Sequence, residues 1–263
     1  MRLVGIAASG IHAQQVALDI IGNNIANVNT VGYKENKINF AESLSTEVRS
    51  GNTKPEGTTG GIATMGLGSG VLYNASGINF QQGALVGSDR PLDLGISGSG
   101  FFQVKIPNGR TGYTRAGSFQ VDEAGQLADM QGNVVQPSIL IPAGATELAV
   151  APAGEITGVI DGKKKVFGQI LLVGFQNPQG LQENGENVFI ATVNSGTPQV
   201  GQPGTTSGNQ VLGTIVGQSL EQSNVDLATS MTDLIQVQRA YQMNAKLIQN
   251  GDQMWGIANS MRR

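Results

Sequence analysis

The two ends of the chain share one pattern of apolar and polar positions that does not recur between them. The positions are separated alternately by three and four residues, which is the spacing of a heptad seam on one side of an α-helix. At the N-terminal end the stripe consists of Val4, Ala7, Ile11, Gln14, Leu18, Ile21, Ile25 and Val28. At the C-terminal end it consists of Leu227, Met231, Leu234, Gln238, Tyr241, Ala245, Ile248, Asp252 and Trp255. The pattern predicts one helix over residues 3–29 and another over about 226–260.

Matching stripes at opposite ends of the chain favour a coiled-coil pairing of the termini, in an inner domain made of residues 1–34 and 220–263. The alternative is two unrelated amphipathic helices that each pack on a globular core, and the spacing leaves it open. Gly5, Gly10 and Gly22 each weaken the first helix by up to about 1 kcal/mol relative to alanine. We therefore expect this helix to be loose in isolation and ordered once it is packed.

Residues 35–70 form a connecting segment of different character. Ile38, Phe40 and Leu44 are spaced to support a short element at its start, and beyond Ser50 the composition turns to glycine, threonine and serine around Pro55. A connection of this length is usually functional or disordered. Both interpretations remain open at this point.

The middle of the chain, residues 71–219, alternates short apolar runs with turns. The clearest strand signal surrounds Phe101 and Phe102, and an Asn-Gly turn follows it. Such runs recur about every 8–12 residues, which is typical of an all-β domain. The predicted fold class is therefore α+β, with long terminal helices in a coiled-coil inner domain and a mainly antiparallel all-β middle domain.

Composition excludes several classes of function. The formal net charge is −3 and only 13% of the residues are charged, so the chain offers no basic surface for nucleic acid. It contains no cysteine, which removes disulfides, thiolate metal sites and cysteine nucleophiles. No apolar run reaches the ~18 residues of a membrane span. The amphipathic start of the chain differs from a signal peptide, so we expect no cleaved signal.

No group of side chains in the sequence has the pattern of a catalytic, cofactor or metal site. His12 is the only histidine and has no partners at metal-ligand spacing, so we expect it on the surface or in a packing role. Ser99 lacks the strand-to-helix turn and the histidine of a nucleophile elbow. The remaining acidic pairs lie in turns, where carboxylates are usually solvated: Asp89 with Asp93, and Asp122 with Glu123. We expect neither enzymatic activity nor a cofactor.

Four blocks in the same order resemble the signatures of bacterial flagellar rod and hook proteins. They are ANVNTVGYK (26–34), PLDLGISGSGFFQV (91–104), YTRAGSFQVDEAGQL (113–127) and SNVDLATSMTDLIQVQRAYQMNAKLI (223–248). The resemblance covers essentially the whole chain, and its length and the 35–70 segment resemble most the members found in the distal rod. The motif residues that carry it are Asn27, Asn29, Thr30, Gly32, Tyr33, Lys34, Gly98, Gly100, Phe101, Phe102, Ser223, Asn224, Gln238, Arg239 and Tyr241.

The resemblance implies an architecture for a polymer of this chain. Terminal helices would line a narrow channel, residues 35–70 would form an extended rod-specific segment, and residues 71–219 would form an outer β domain. Subunits would stack helically into a hollow, rigid shaft that transmits torque and passes exported subunits. The assembly contacts expected along the helix stripes are Ile11, Leu18, Ile21, Ile25, Val28, Leu227, Met231, Leu234, Tyr241 and Ile248.

The resemblance also implies partners and a location. The partners are further copies of the chain, the proximal rod proteins, the hook protein and, in a cell with an outer membrane, surrounding ring proteins. The location is the basal body outside the cytoplasmic membrane, reached by the flagellar type III export route without a cleaved signal. Two alternatives are a proximal rod or hook protein, and a secreted surface- or glycan-binding β protein. The second leaves the paired terminal helices without a purpose.

Overall fold

The computed structural model describes residues 2–42, 46–48, 65–67, 70–74, 77–107, 109–208 and 210–261, in two compact units. The helical unit comprises residues 1–25, 36–77 and 227–263, and the β unit comprises residues 26–35 and 78–226. A helix near each terminus and a mainly antiparallel β middle confirm the α+β class predicted from the sequence.

The two long helices are α1 (Arg2–Ala26) and α2 (Leu227–Ser260). Helix α1 ends at Ala26 rather than at the predicted residue 29, because the next residues form a turn. In that turn Thr30 donates its backbone N–H to the Asn27 carbonyl and its hydroxyl to the Asn27 side-chain oxygen, each at 3.1 Å. Asparagine side chains compete in this way with helical hydrogen bonds.

The described residues of the helical unit also include four short strands: β1 (Asn39–Glu42), β2 (Thr46–Val48), β3 (Met65–Leu67) and β4 (Val71–Asn74). Strand β1 pairs with β4 and β2 pairs with β3, both antiparallel. Two contacts join β4 to α1. The Val71 N–H donates to the Ser9 hydroxyl at 3.4 Å, and the Tyr73 ring stacks on His12 at 5.5 Å between centroids. The single histidine therefore has the packing role expected of it, while Leu44 and Pro55 lie outside the described residues.

The β unit contains the remaining strands in chain order, with two short 3₁₀ helices at Pro178–Gly180 and Val193–Ser195. The strands are β5 (Leu85–Gly87), β6 (Leu94–Ser97), β7 (Phe101–Lys105), β8 (Thr111–Thr114), β9 (Phe119–Val121), β10 (Leu127–Asp129), β11 (Val134–Val135), β12 (Thr146–Val150), β13 (Glu155–Ile160), β14 (Lys163–Gln169), β15 (Leu172–Gly174), β16 (Gln182–Glu183), β17 (Val188–Ile190), β18 (Gln199–Gly201), β19 (Thr206–Ser207), β20 (Gln210–Val211), β21 (Thr214–Gly217) and β22 (Ser219–Glu221).

One large antiparallel sheet organises this unit. Its main path is β16-β17-β8-β7-β11-β10-β9, and β15 joins it beside β7 and carries β18. A three-stranded sheet β12-β13-β14 and the ribbons β6-β21, β5-β22 and β19-β20 surround it. Strand β22, which precedes α2, pairs with β5, the first strand of the β unit.

The central strands bury both of their faces. Adjacent side chains of a strand point to opposite faces, and here Phe102 belongs to the larger hydrophobic core while Phe101 belongs to a second one. Strands β15 and β17 repeat this division with Leu172 and Val173 and with Val188 and Phe189. Consecutive apolar residues therefore mark strands covered on two sides.

Gly117 allows the closest backbone approach in the β unit. Its carbonyl accepts from the Leu94 N–H at 2.9 Å, and a Cβ added at Gly117 would lie 1.6 Å from the Leu94 carbonyl oxygen. Any side chain there would push β6 away from the segment that leads into β9.

Candidate functional site

Three charged side chains meet in the interior of the β unit and form what we call the charge cluster: Lys34, Arg115 and Glu221. The Lys34 Nζ lies 2.5 Å from one carboxylate oxygen of Glu221, and an Arg115 guanidinium nitrogen lies 3.2 Å from the other. The side chains of Lys34 and Glu221 are fully buried and that of Arg115 is 4% exposed. Buried charges of this kind need complete pairing, because an unpaired charge in the interior is costly.

Backbone groups satisfy the remaining polar atoms around the carboxylate and the amine. The Gly83 N–H donates to Glu221 at 2.9 Å, and Lys34 donates to the Gln81 carbonyl at 2.8 Å. On the Arg115 side, the guanidinium donates to the Gly98 carbonyl at 2.9 Å. Two cations thus share one carboxylate and each donates to a backbone carbonyl, while the buried Arg115 Nε has no hydrogen-bond partner among the described residues.

The Arg115 guanidinium also lies against an aromatic ring. Its central carbon is 5.3 Å from the centroid of Phe101, within the range of a cation–π contact. Phe101 is itself packed edge-on against Phe175 at 5.8 Å. The charge cluster is therefore continuous with the smaller aromatic core of the β unit.

Burial sets the acid–base properties of the cluster. Removal from water lowers the pKa of the Lys34 ammonium below its ordinary value; the charge and hydrogen bond of Glu221 partly oppose this effect, and Arg115 adds to it. Burial likewise lowers the pKa of the Arg115 guanidinium, against the opposing effect of Glu221. The Glu221 carboxylate thus opposes the effect of burial on the pKa of both cations.

An amide network fixes the neighbouring stretch of chain. The Glu35 N–H donates to the Asn224 side-chain oxygen at 2.8 Å, and the Asn224 side chain donates to the carbonyls of Asn79 and Gln81 at 2.8 and 3.0 Å. The Gly32 N–H donates to the Glu221 backbone carbonyl at 2.8 Å. The segment that follows α1 and the segment that precedes α2 are therefore bound to each other and to residues 79–83.

A second asparagine holds the same N-terminal segment from the other side. The Asn187 side chain donates to the Val31 carbonyl at 3.0 Å, while its own carbonyl accepts from the Thr114 hydroxyl at 2.9 Å. Asn187 and the preceding Glu186 adopt the left-handed conformation, with φ of 57° and 55°. That conformation suits asparagine better than glutamate.

The motif residues predicted from the resemblance fall into two groups. The first lies in the β unit, where Gly32, Lys34, Gly98, Phe101 and Asn224 contact the charge cluster or its amide network. Around them, Tyr33 and Phe102 are buried and Gly100 has a positive φ. Asn27 and Thr30 share a turn, and Asn29 beside them is exposed. The Ser223 hydroxyl accepts a hydrogen bond from the N–H of Val225. The second group lies on α2, where Gln238 and Arg239 are exposed and Tyr241 is half-buried.

Arg115 and Glu221 were not singled out by the sequence. Arg115 lies 106 positions from Glu221, and Lys34 lies 187 positions from it, so no local spacing relates them. The sequence carries only a weak signal for these two residues. Because only 13% of the residues are charged, a charged residue inside a glycine-rich strand motif indicates a buried partner of opposite charge.

The helix stripes show which residues face inward within the helical unit. On α1 the buried residues are small or polar, namely Ala7, Ala13, Ala17 and Asn24, and the predicted assembly residues Ile11, Leu18, Ile21 and Ile25 are half-buried. Val28, predicted in the same stripe, is also half-buried but lies in the turn after α1, in the β unit. On α2 the predicted Leu234, Tyr241 and Ile248 are half-buried, whereas Leu227 and Met231 are exposed. A Cβ at Gly10 of α1 would lie 2.9 Å from the Asn244 side chain of α2.

A second apolar stripe on α2 is exposed. It consists of Met243, Leu247, Met254, Ile257 and Met261, which are 46–78% accessible. With Asn250 between Leu247 and Met254, the spacings alternate between four and three, so these residues share one face. Contiguous exposed apolar surface of this kind marks a protein–protein contact.

The described residues contain no group of His, Asp and Glu side chains that could hold a metal ion. As far as the structure describes α1 and α2, neither has an apolar stretch of the length needed to cross a bilayer. The two features that stand out are thus the charge cluster and the exposed stripe of α2.

Three protein-family profiles match the chain in order. They are "Flagella basal body rod protein" over residues 6–34, "Flagellar hook protein FlgE/F/G D1 domain" over 95–158, and "Flagellar basal body rod FlgEFG protein C-terminal" over 216–261. Each contains one member of the charge cluster: Lys34, Arg115 and Glu221 respectively. The cluster is the point where the three matched regions meet.

Curated relatives match along the full chain. The chain is 37% identical to the flagellar basal-body rod protein FlgG of Caulobacter vibrioides, covering 100% of both proteins. It is 36% identical to FlgG of Borreliella burgdorferi, over 100% of this chain and 99% of the relative. It is also 36% identical to FlgG of Bacillus subtilis, over 97% of this chain and 96% of the relative.

Proposed function

The chain belongs to the family of flagellar basal-body rod proteins and is a structural subunit of the distal rod rather than an enzyme; from this premise we propose how it builds the shaft. Copies of the chain assemble helically into a hollow, rigid rod that transmits torque and passes exported subunits. The observation that carries the function is the end-to-end similarity to rod proteins of distant bacteria.

The charge cluster supplies internal rigidity to each subunit. Glu221 binds Lys34, just beyond α1, and lies six residues before the first residue of α2. A single buried carboxylate thus joins the first stretch of the β unit, residues 26–35, to the strand that precedes α2. Such internal contacts suit a shaft under torque, because each mobile joint would add bending and twisting freedom.

The terminal helices supply the contacts between subunits. The close approach of Gly10 to Asn244 supports a coiled-coil pairing of α1 with α2. The exposed stripe from Met243 to Met261 then docks on helices of neighbouring copies. Burial of apolar surface stabilises such contacts by about 25 cal/mol per Å². Helices that are weak alone gain order on assembly, which keeps free subunits from polymerising early.

The four segments predicted from the sequence take distinct positions in the proposed polymer. Residues 1–34 and 220–263 form the inner wall around the channel, and residues 71–219 form the outer β layer. Residues 35–70 lie against neighbouring subunits and hold the rod straight. The rod continues into the proximal rod proteins on one side and the hook on the other, with ring proteins around it where an outer membrane exists.

The proposed location is the basal body beyond the cytoplasmic membrane, reached through flagellar type III export without cleavage of a signal. The absence of cysteine supports this route, since no disulfide can form in transit. The alternative within the family is a proximal rod or hook subunit, because one of the matching profiles is described as that of a flagellar hook protein.

Polymerisation of the purified full-length chain tests the proposal. We expect straight tubes in electron micrographs above a critical concentration, whereas curved tubes would favour the hook alternative. Met254→Asp places a charge on the exposed stripe of α2 and is expected to raise the critical concentration at least tenfold, or about 1.4 kcal/mol. The control Gln249→Asp lies about 140° around the same helix and is expected to change it by less than twofold. Failure of the wild-type chain to form any polymer would contradict the proposal.

A further inference from the structure

Val193 is the most exposed large apolar side chain in the described part of the chain, at 98%. It begins the short 3₁₀ helix Val193–Ser195, which follows β17 by two residues. A valine this exposed makes almost no contact within its own subunit. Its presence on the surface is therefore not explained by the fold of the β unit.

The turn that carries Val193 is rigid. Thr192 and Ser195 form a capping box, in which the Thr192 N–H donates to the Ser195 hydroxyl at 3.0 Å and the Asn194 N–H donates to the Thr192 hydroxyl at 3.2 Å. Ser195 is fully buried. The Asn177 side chain donates to the Asn194 carbonyl at 3.1 Å and ties this turn to the neighbouring 3₁₀ helix. The fixed turn presents Val193 as a protruding knob. Because the turn is already ordered, a contact made by Val193 costs little conformational entropy.

A groove of complementary character lies at the other edge of the large sheet. Its volume is about 290 Å³. Most of its lining is apolar, from Val121, Ile141, Pro142, Ala143, Ala145 and Leu148, and the acidic residues Asp122 and Glu123 also line it. Leu140, which bridges to the start of β10, is 61% exposed nearby. A larger groove between Ile106 and Asn184 has a smaller apolar share, because half of its lining residues carry an amide or a carboxylate, so it suits an isopropyl group less well.

The knob and the groove cannot meet within one subunit. The strand before Val193 is β17 and the strand that borders the groove is β9, and five strand intervals separate them along the main sheet. At about 4.8 Å per interval the separation is on the order of 24 Å. A knob and a groove on opposite edges of one body make a head-to-tail contact that does not close on itself and generates filaments.

We propose that Val193 of one subunit inserts into the groove between Val121 and Leu148 of a second copy of this chain, and that this contact joins neighbouring β units in the outer layer of the rod. The proposal rests on the proposed helical self-assembly and names a specific contact within it. Contacts between β units then stabilise the polymer in addition to the contacts between helices.

Pairs of introduced cysteines test the contact directly, because the wild-type chain has no cysteine. The variant Val193→Cys with Ala143→Cys is polymerised and treated with a short bis-maleimide. We expect a ladder of covalent multimers on a denaturing gel. The matched control is Val211→Cys with Ala143→Cys, since Val211 is also exposed, at 69%, and we expect it to remain monomeric.

A charge substitution provides the second measurement. Val193→Asp is expected to raise the critical concentration for polymerisation at least fivefold, and Val211→Asp less than twofold. Unchanged circular dichroism of each variant monomer shows that folding is intact. Dimers from Val193→Cys alone would indicate a knob-to-knob contact and overturn the proposal.

The outcomes separate this inference from the proposed function. Normal polymers without a covalent ladder, or with equal effects of the two aspartate variants, would overturn the knob-and-groove contact and leave the rod function standing. Absence of any wild-type polymer would overturn the rod function, and the contact with it.

Discussion

Lys34 and Glu221 are 187 positions apart in sequence, yet the Lys34 Nζ lies 2.5 Å from the Glu221 carboxylate and both side chains are fully buried. Arg115 approaches the second carboxylate oxygen at 3.2 Å. The segments that flank the two terminal helices are therefore locked together inside the β unit.

The first prediction removes the shared carboxylate. Glu221→Gln keeps the shape of the side chain but leaves two buried cations without an anion, so we expect a loss of about 3–5 kcal/mol in the free energy of unfolding. The control Glu183→Gln is exposed and is expected to change it by less than about 0.5 kcal/mol. Urea unfolding of the full chain, followed by tyrosine and tryptophan fluorescence, measures both. A loss for Glu221→Gln below 1 kcal/mol would show that the cluster does not stabilise the β unit.

The second prediction concerns alkaline pH. Folding lowers the pKa of Lys34, so the unfolded chain binds more protons than the native chain between the native pKa and the unfolded value of about 10.4. The Lys34 contribution to the free energy of unfolding therefore rises with pH across that window and is constant below it. The difference in stability between wild type and Lys34→Met should grow as the pH increases from 7 towards 10.4.

The control for this pH series is Lys163→Met, because Lys163 is exposed. Its difference from wild type should stay flat over the same range. A wild-type advantage over Lys34→Met that shrinks with rising pH would mean that the pKa of Lys34 is raised rather than lowered on folding.

The third prediction tests the close approach at Gly117. Gly117→Ala forces a Cβ to within 1.6 Å of the Leu94 carbonyl oxygen, so we expect a loss of at least about 3 kcal/mol, the upper end for overpacking. At Gly132, φ is 85° and no atom lies within 4 Å of an added Cβ. Gly132→Ala should therefore lower the free energy of unfolding only by about 1–2 kcal/mol, which is what the left-handed conformation costs a residue other than glycine. Equal losses measured by thermal unfolding would contradict the steric explanation.

The fourth prediction tests the packing of α1 against α2. Gly10→Leu places a side chain where Asn244 lies, and overpacking of about 1–3 kcal/mol corresponds to a critical concentration about 5- to 160-fold higher. No atom lies within 4 Å of an added Cβ at Gly22, so Gly22→Leu should raise helicity by circular dichroism without impairing polymerisation. If the two variants polymerise alike, the helices do not pair at Gly10.

The long helices and the fold class were predictable because their signals are local. Spacings of three and four residues mark α1 and α2 within a window of a few turns, and the alternation around Phe101 and Phe102 marks a strand. The sequence could not show that these two phenylalanines enter different cores, since that depends on the cover on each face of the sheet.

The residues on the inward face of α2 were harder to predict from the sequence. Its buried residues include Ser230 and Gly251, whereas an apolar count selects the neighbouring Met231, which is exposed. Small residues permit close helix approach and leave large apolar side chains beside the seam. The assembly roles of Leu227 and Met231 stay predictions that only the polymer can test.

The charge cluster was not predictable from local pattern. Lys34 carried a signal through its motif, but Arg115 and Glu221 acquire their roles only when the fold brings three distant segments together. Asn224 was identified from its motif, although its contacts with Asn79 and Gln81 follow from tertiary structure alone.

A cryo-electron microscopy map of the polymer formed by the full-length chain shows where the helices and the β units lie in the rod. We expect a straight tube in which α1 and α2 surround a central channel and the β units form the outer layer. A map with the β units lining the channel, or with α2 exposed on the outside of the tube, would contradict this arrangement.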